Sequence, residues 1–215
     1  DNDFFGGALA VGDFDRDGIL DLAVGNYSSA DVGVYRGLGD GTFVELGRVA
    51  LTGYPSVLAV GDMNRDGILD LSVGLQGTTQ AVNVLQGNGD GTFLAPAVWD
   101  AGTHLLGLAV GDWDRNGSPD LITTNYLSAD VTFLASDERG GFQAPRQLQS
   151  SRQSHAVAEG DWNRDGAPDV VRRGGALRSG EAGFFTDLLP MARGKDDETA
   201  VRLLDAMLEA DEARE

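Results

Sequence analysis

An acidic nonapeptide recurs four times along the 215-residue chain, starting at Asp13, Asp62, Asp112 and Asp161, with spacings of 49, 50 and 49 residues. A period near fifty residues is that of a blade-sized unit, one of several that stack to share a core. The copies read Asp13-Phe14-Asp15-Arg16-Asp17-Gly18-Ile19-Leu20-Asp21, Asp62-Met63-Asn64-Arg65-Asp66-Gly67-Ile68-Leu69-Asp70, Asp112-Trp113-Asp114-Arg115-Asn116-Gly117-Ser118-Pro119-Asp120 and Asp161-Trp162-Asn163-Arg164-Asp165-Gly166-Ala167-Pro168-Asp169.

Each loop follows a short apolar stretch in which Ala stands three places before the first Asp: Ala10, Ala59, Ala109 and Ala158. A small residue repeated there suits an innermost strand crowded against a central axis. After the loop comes a second strand (Leu22-Ala23-Val24 and its counterparts). A polar turn follows, and then a third strand with period-two apolar spacing at Val32 and Val34, Val82 and Val84, Val131 and Phe133. A glycine-rich turn such as Gly39-Asp40-Gly41 signals a hairpin, and a fourth strand is expected to begin at Phe43, Phe93 or Phe142. The fold class is therefore all-β, a β-propeller of four-stranded antiparallel blades. Blades are expected over about 8–53, 54–103, 104–152 and 153–190. The last is degraded: Asp169 to Phe184 is 15 residues where Asp21 to Phe43 is 22, and Arg172, Arg173 and Arg178 replace apolar residues. Residues 191–215 form a separate segment, with Val201, Leu204 and Leu208 predicting an amphipathic helix over about 196–213.

The loop chemistry points to calcium. Ca²⁺ takes six to eight oxygen ligands in flexible geometry. Alternation directs the side chains at positions one, three and five toward one point. Glycine at six permits a turn that a Cβ resists, which lets the carbonyl of position seven face the ion, and Asp at nine closes the shell. The predicted ligands are Asp13, Asp15, Asp17, Ile19 and Asp21; Asp62, Asn64, Asp66, Ile68 and Asp70; Asp112, Asp114, Asn116, Ser118 and Asp120; Asp161, Asn163, Asp165, Ala167 and Asp169, for up to four Ca²⁺. EF-hands share the first six positions but need a bidentate Glu at twelve. Position twelve here is Val24, Val73, Thr123 or Arg172.

The formal net charge of −18 excludes a nucleic-acid partner, which needs a basic footprint. Thirteen of the 34 acidic residues sit in the four loops, so the acidity reads as metal demand; four divalent cations would add eight positive charges. No apolar run approaches the ~20 residues of a membrane span, so membrane insertion is not expected. There is no cysteine and hence no disulfide framework. The chain begins at Asp1 rather than Met, as a mature form or an excised piece would.

With Ala-Val-Gly before the first loop and Leu22-Ala23-Val24-Gly25 after it, and with Gly91-Thr92-Phe93-Leu94-Ala95-Pro96 and Gly141-Phe142-Gln143-Ala144-Pro145, residues 8 to about 188 resemble the FG-GAP/VCBS repeats. That family includes the integrin α-subunit propeller and many bacterial surface proteins and lectins. The resemblance implies calcium in the hairpin between the first two strands of each blade, a ligand on the opposite face, and an extracellular or cell-surface location. The family propeller commonly has seven blades where this chain offers four, so self-association to complete a ring is a further expectation.

Other residues carry less. Phe14, Met63, Trp113 and Trp162 share one loop slot and suit packing between blades better than a stacking platform for sugars. His104 and His155 both precede an expected innermost strand, with no recurring Ser or carboxylate beside them, so no catalytic residue is assigned. Asn26 and Tyr27, with Asn125 and Tyr126, open the second-to-third turns away from the loops and suit glycan or peptide contacts; ordinary turn chemistry explains them as well. The expected function is a non-catalytic, calcium-stabilised module for extracellular binding or adhesion with a glycan or protein ligand. The alternatives are a scaffold or a polysaccharide-lyase or hydrolase-type propeller enzyme, and a purely structural repeat array.

Overall fold

The computed structural model describes residues 8–77, 82–114, 116–137, 140–149, 154–160, 169–174 and 186–189, the last three spans and residues 148–149 through the backbone alone. All its regular structure is strand; among the described residues there is no helix. The expected helix over 196–213 lies outside them.

The strands form antiparallel sheets in strict sequence order. The first holds β1 (Leu9–Gly12), β2 (Asp21–Asn26), β3 (Asp31–Gly37) and β4 (Phe43–Ala50). The second holds β5 (Tyr54–Gly61), β6 (Asp70–Gln76), β7 (Val82–Leu85) and β8 (Ala97–Trp99). The third holds β9 (Leu105–Gly111), β10 (Asp120–Asn125), β11 (Asp130–Leu134) and β12 (Arg146–Gln149). The fourth has three described strands, β13 (Ser154–Gly160), β14 (Asp169–Gly174) and β15 (Thr186–Leu189). His155 lies inside β13 rather than before it, whereas His104 does precede β9.

Every acidic loop closes the hairpin between the first two strands of its sheet. The closing pairs are Gly12 with Asp21, Gly61 with Asp70, Gly111 with Asp120 and Gly160 with Asp169. The loops therefore share one end of the stack, and the second-to-third turns share the other.

The fourth strand departs from expectation in two sheets. β4 begins at Phe43 as its sequence suggests, but Phe93 and Phe142 make only single bridges, to Gly87 and Ser136. Pro96 and Pro145 stand between those bridges and β8 and β12. Proline has no N–H to give the ladder, so pairing resumes only beyond it.

Packing between sheets makes the core. β5 lies against β1, β2 and β3; β9 against β5 and β6; β13 against β9 and β10. The first interface buries Ala10, Phe14, Ala23, Val32 and Val34 against Leu58, Leu71, Val73, Leu85 and Phe93. The second buries Met63, Val82 and Val84 against Leu105, Leu108, Leu121, Leu134 and Phe142. A third cluster gathers Ala109, Trp113, Ile122 and Phe133 on the side of the third sheet that faces β13. The shared loop slot is accordingly packing. Phe14 sits edge-on to Phe93 with ring centroids 5.4 Å apart, and Met63 and Trp113 are buried at the same place in the next two sheets.

Candidate metal centre

The three described loops repeat one hydrogen-bond pattern, built by backbone N–H groups turning inward on carboxylates. In the first, Asp13 accepts from the N–H of Asp17 at 3.1 Å and of Gly18 at 3.0 Å. Asp15 also accepts from Asp17, and Asp17 accepts from Ile19 at 2.8 Å. In the second, Asp62 accepts from Asp66 and Gly67, Asn64 from Asp66, and Asp66 from Ile68. In the third, Asp112 accepts from Asn116 and Gly117, Asp114 from Asn116, and Asn116 from Ser118. Asn64 and Asn116 thus keep the accepting oxygen of the Asp they replace.

Glycine at position six is required by the backbone. Gly18, Gly67 and Gly117 have φ of 86°, 80° and 85°, in the left-handed region where a Cβ is strained. Arg16 and Arg65, two places earlier, adopt φ of 64° and 62° despite their side chains.

Position nine is the buried member. Asp21 is fully buried; one of its oxygens accepts from Phe14 N–H and the other from Gly37 N–H, each at 2.9 Å. Asp70 binds Met63 and Gly87 in the same way, and Asp120 binds Trp113 and Ser136. One carboxylate therefore ties its own loop to the end of the third strand. Sequence reasoning assigned this Asp to the metal shell and missed the tie. Its signal is the glycine at 37 and 87, where a Cβ would collide with the carbonyl oxygens of Leu20 and Leu69.

Asp13, Asp15 and Asp21 bring one oxygen each to within 4.8 Å of one another, and so do Asp112, Asp114 and Asp120. Among the described residues these are the two sets of carboxylates that converge so closely; the second loop has Asn64 at the third position. The electrostatics match a site that lacks counter-charge. Loss of hydration raises the Asp15 pKa, with the charges of Asp21 and Asp17 adding to it and the Asp17 N–H opposing. Burial raises Asp70 against the N–H groups of Gly87 and Met63, and the charges of Asp66 and Asp62 add to the rise. Burial likewise raises Asp120. Hard oxygen donors packed this closely, each with further lone pairs, fit a hard divalent cation. Of the fourth set, Asp161, Asn163, Asp165 and Ala167 lie outside the described residues, and Asp169 is seen only as the first backbone position of β14.

The far end of the stack differs from expectation at one residue. Asn125 is fully buried, and its amide donates to Asp130 at 2.6 Å and Thr132 at 2.9 Å, so it cannot reach a ligand. The Asn-to-Asp spacing that resembled a recognition turn is an internal clamp. Asn26 makes the same bond to Asp31 at 2.7 Å but is only half-buried. Tyr27 stacks on Tyr54 with centroids 4.9 Å apart, and Tyr126 lies beside His104 at 5.7 Å. Between the first two sheets at this end is a cavity of about 290 Å³ lined by Ala30, Leu51, Thr52, Tyr54 and Gln76.

The FG-GAP-like repeat model matches residues 13–73, 62–123 and 112–171, and the chain belongs to that repeat family. Among solved structures it is similar to BBS1N in complex with ARL6DN, at 10% identity and a TM-score of 0.55, over 79% of this chain and 51% of that one. It is also similar to a chain of the Tc holotoxin pore of Photorhabdus luminescens, at 18% identity and a TM-score of 0.51, over 77% of this chain and 8% of that one. These likenesses concern the fold alone, and the chain spans about half the length of BBS1N. A search of curated proteins finds no match.

Proposed function

We propose that this chain is a calcium-stabilised binding module, with ions at one end of the stacked sheets and a ligand surface at the other. The observation that carries the metal half is the convergence of carboxylates at positions one, three and nine in the first and third loops. The ligands in each loop are the side chains at one, three, five and nine with the carbonyl at seven, as in Asp13, Asp15, Asp17, Ile19 and Asp21, and the fourth loop completes a set of up to four ions. Bound Ca²⁺ supplies counter-charge and fixes loop geometry, and no reaction is ascribed to it.

The binding half is supported by the cavity between the first two sheets and by exposed Tyr54 beside it, stacked on Tyr27. An aromatic face next to Gln76 and Thr52 suits a glycan or a protein loop. The location we favour is extracellular, where calcium modules of about 10⁻⁴–10⁻³ M affinity are filled. No described helix is long and apolar enough to cross a membrane.

Calcium titration calorimetry and thermal melts in calcium and in EDTA test the metal half. An unchanged melting temperature with no binding heat would overturn it. A glycan array and a pull-down with Tyr54→Ala as control test the ligand half; equal signals from the variant and the parent would remove this face from the proposal.

A further inference from the structure

We infer that the arginine at loop position four is a positioning residue for the next metal loop, so that consecutive calcium sites fill cooperatively. The inference rests on the calcium reading above and concerns what links the sites rather than the sites themselves.

Arginine stands at that position in all four copies, as Arg16, Arg65, Arg115 and Arg164. The backbone there does not favour it. Arg16 and Arg65 hold φ of 64° and 62°, a left-handed conformation that suits glycine and strains a residue with a Cβ. A strained residue in a repeated motif points to a task for its side chain.

In both described copies that side chain leaves its own loop and reaches the next sheet. Arg65 Nη1 lies 3.5 Å from Ser118 Oγ, and a Cβ on Gly117 would lie 3.2 Å from Arg65 Nη2. Gly117 and Ser118 are positions six and seven of the third loop, and Ser118 is fully buried. Arg16 reaches the same place one repeat earlier. A Cβ on Gly89 would lie 3.4 Å from Arg16 Cδ and 3.3 Å from Ile68 Cδ1, so the arginine and position seven of the second loop both rest on that glycine. Position seven is the residue whose carbonyl is assigned to the ion.

Position three secures the same contact. Gly91, two residues after Gly89, donates its N–H to the Phe14 carbonyl at 3.0 Å, and a Cβ there would lie 3.6 Å from Asp15 Cβ. Gly140 holds the corresponding place in the third sheet, and its Cβ would lie 2.9 Å from Asn64 Cβ. The first two loops are thus each seated on the next sheet at neighbouring residues.

The link acts through order rather than charge. Among the described residues the ion pairs are those of Arg48 with Asp31 and Glu45. Arg65 therefore touches the third loop without neutralising its carboxylates, and an incoming cation has no ion pair to displace. An ion in the second loop cancels the repulsion among its carboxylates and fixes the bonds from Asp66 N–H to Asp62 and Asn64, beside Arg65. The arginine is then already placed, and the third loop closes with less rotamer entropy still to lose. Linkage makes the effect reciprocal, so each filled loop raises the affinity of the other by the same factor.

The test is a calcium titration of the whole chain followed by amide NMR. The N–H groups of Gly67 and Gly117 donate to the first carboxylate of their own loops, Asp62 and Asp112, and report the two sites separately. Arg65→Gly removes the side chain and relieves the left-handed backbone, which favours folding. Asp62→Ala empties the second loop, and Asp66→Lys serves in its place if that variant does not fold. Each change alone should raise the half-saturating calcium concentration at Gly117 by roughly threefold or more. Combined, they should raise it no further, and Asp112→Ala should raise the value at Gly67 by the same factor. An absence of calcium-dependent shifts at both glycines would remove the calcium reading and this inference with it. Shifts at both, with Gly117 indifferent to Arg65→Gly or to loss of the second site, would overturn the inference alone. Tighter binding at Gly117 in Arg65→Gly would also overturn it, since the guanidinium charge would then be opposing the ion.

Discussion

Asp70 accepts a hydrogen bond from the backbone N–H of Gly87 at 2.8 Å, across seventeen residues and from one hairpin to the next. Its other oxygen holds Met63 N–H at 2.9 Å. The residue is therefore part of the fold whether or not an ion is present. Asp70→Ala leaves two N–H groups without their acceptor, at a cost of about 2–4 kcal/mol. We expect that loss in urea melts in EDTA as well as in calcium. Destabilisation confined to the calcium condition would show that the residue acts only through the metal.

The raised pKa values of Asp70 and Asp120 predict an unusual pH response in the metal-free protein. A carboxyl whose pKa rises on folding takes up a proton more readily in the folded chain. Its stabilising contribution is complete below the ordinary value of 3.8 and is lost as pH rises through the folded value. In EDTA, stability should therefore increase as pH falls through the raised folded value toward the ordinary 3.8. Asp40 and Asp90 act in the opposite sense and in a lower window. The hydroxyls and N–H groups of Thr42 and Thr92 hold them below 3.8, so their contribution is lost on further acidification. Urea midpoints across this range should pass through a maximum in EDTA. In calcium the same acidification should destabilise, because protons compete for the ligands.

Ala30 and Ala129 end the second-to-third turns with φ of 53° and 51°. The left-handed conformation costs an L-residue roughly 1–2 kcal/mol. Glycine avoids that cost but has the more flexible unfolded chain. Ala129→Gly should therefore raise stability by about 0.5 kcal/mol net, read as an upward shift of the urea midpoint. A lower midpoint would mean that the Ala129 methyl makes packing contacts that outweigh the strain.

Ser72 stands in the second sheet where Ala23 stands in the first and Ile122 in the third, fully buried and with no hydrogen-bond partner for its hydroxyl. Ser72→Ala should stabilise the protein by about 1 kcal/mol, since the desolvated hydroxyl is removed at almost constant volume. Thermal melting of the variant, with calcium held constant, measures the change directly.

The loops, the order of the strands and the role of the loop-two slot were all legible in the sequence, because each rests on a local pattern repeated at a fixed period. Phe14, Met63 and Trp113 could be read as interblade packing for that reason. The features that were not legible depend on contacts distant in sequence. Nothing near Asp21 announces Gly37 as its partner. Asn125 looked like Asn26, and only the denser packing of the third sheet buries it. Pro96 and Pro145 were visible, but the resemblance of their segments to the Phe43 segment hid how far they delay the fourth strand. Leu9 and Phe43 are exposed among the described residues while Leu58 and Phe93, in the same sequence context one repeat on, are buried, so burial too is set by contacts that the repeat pattern does not carry.

The stepwise packing of each sheet on the next gives the chain the thermodynamics of a short linear polymer, in which each unit's stability depends on having neighbours on both sides. Among the described residues the second and third sheets each pack against two neighbours and the first against one. Opening should therefore begin at the first sheet and spread inward, with amide protons of β4 exchanging before those of β10 and β11, whose residues are all buried.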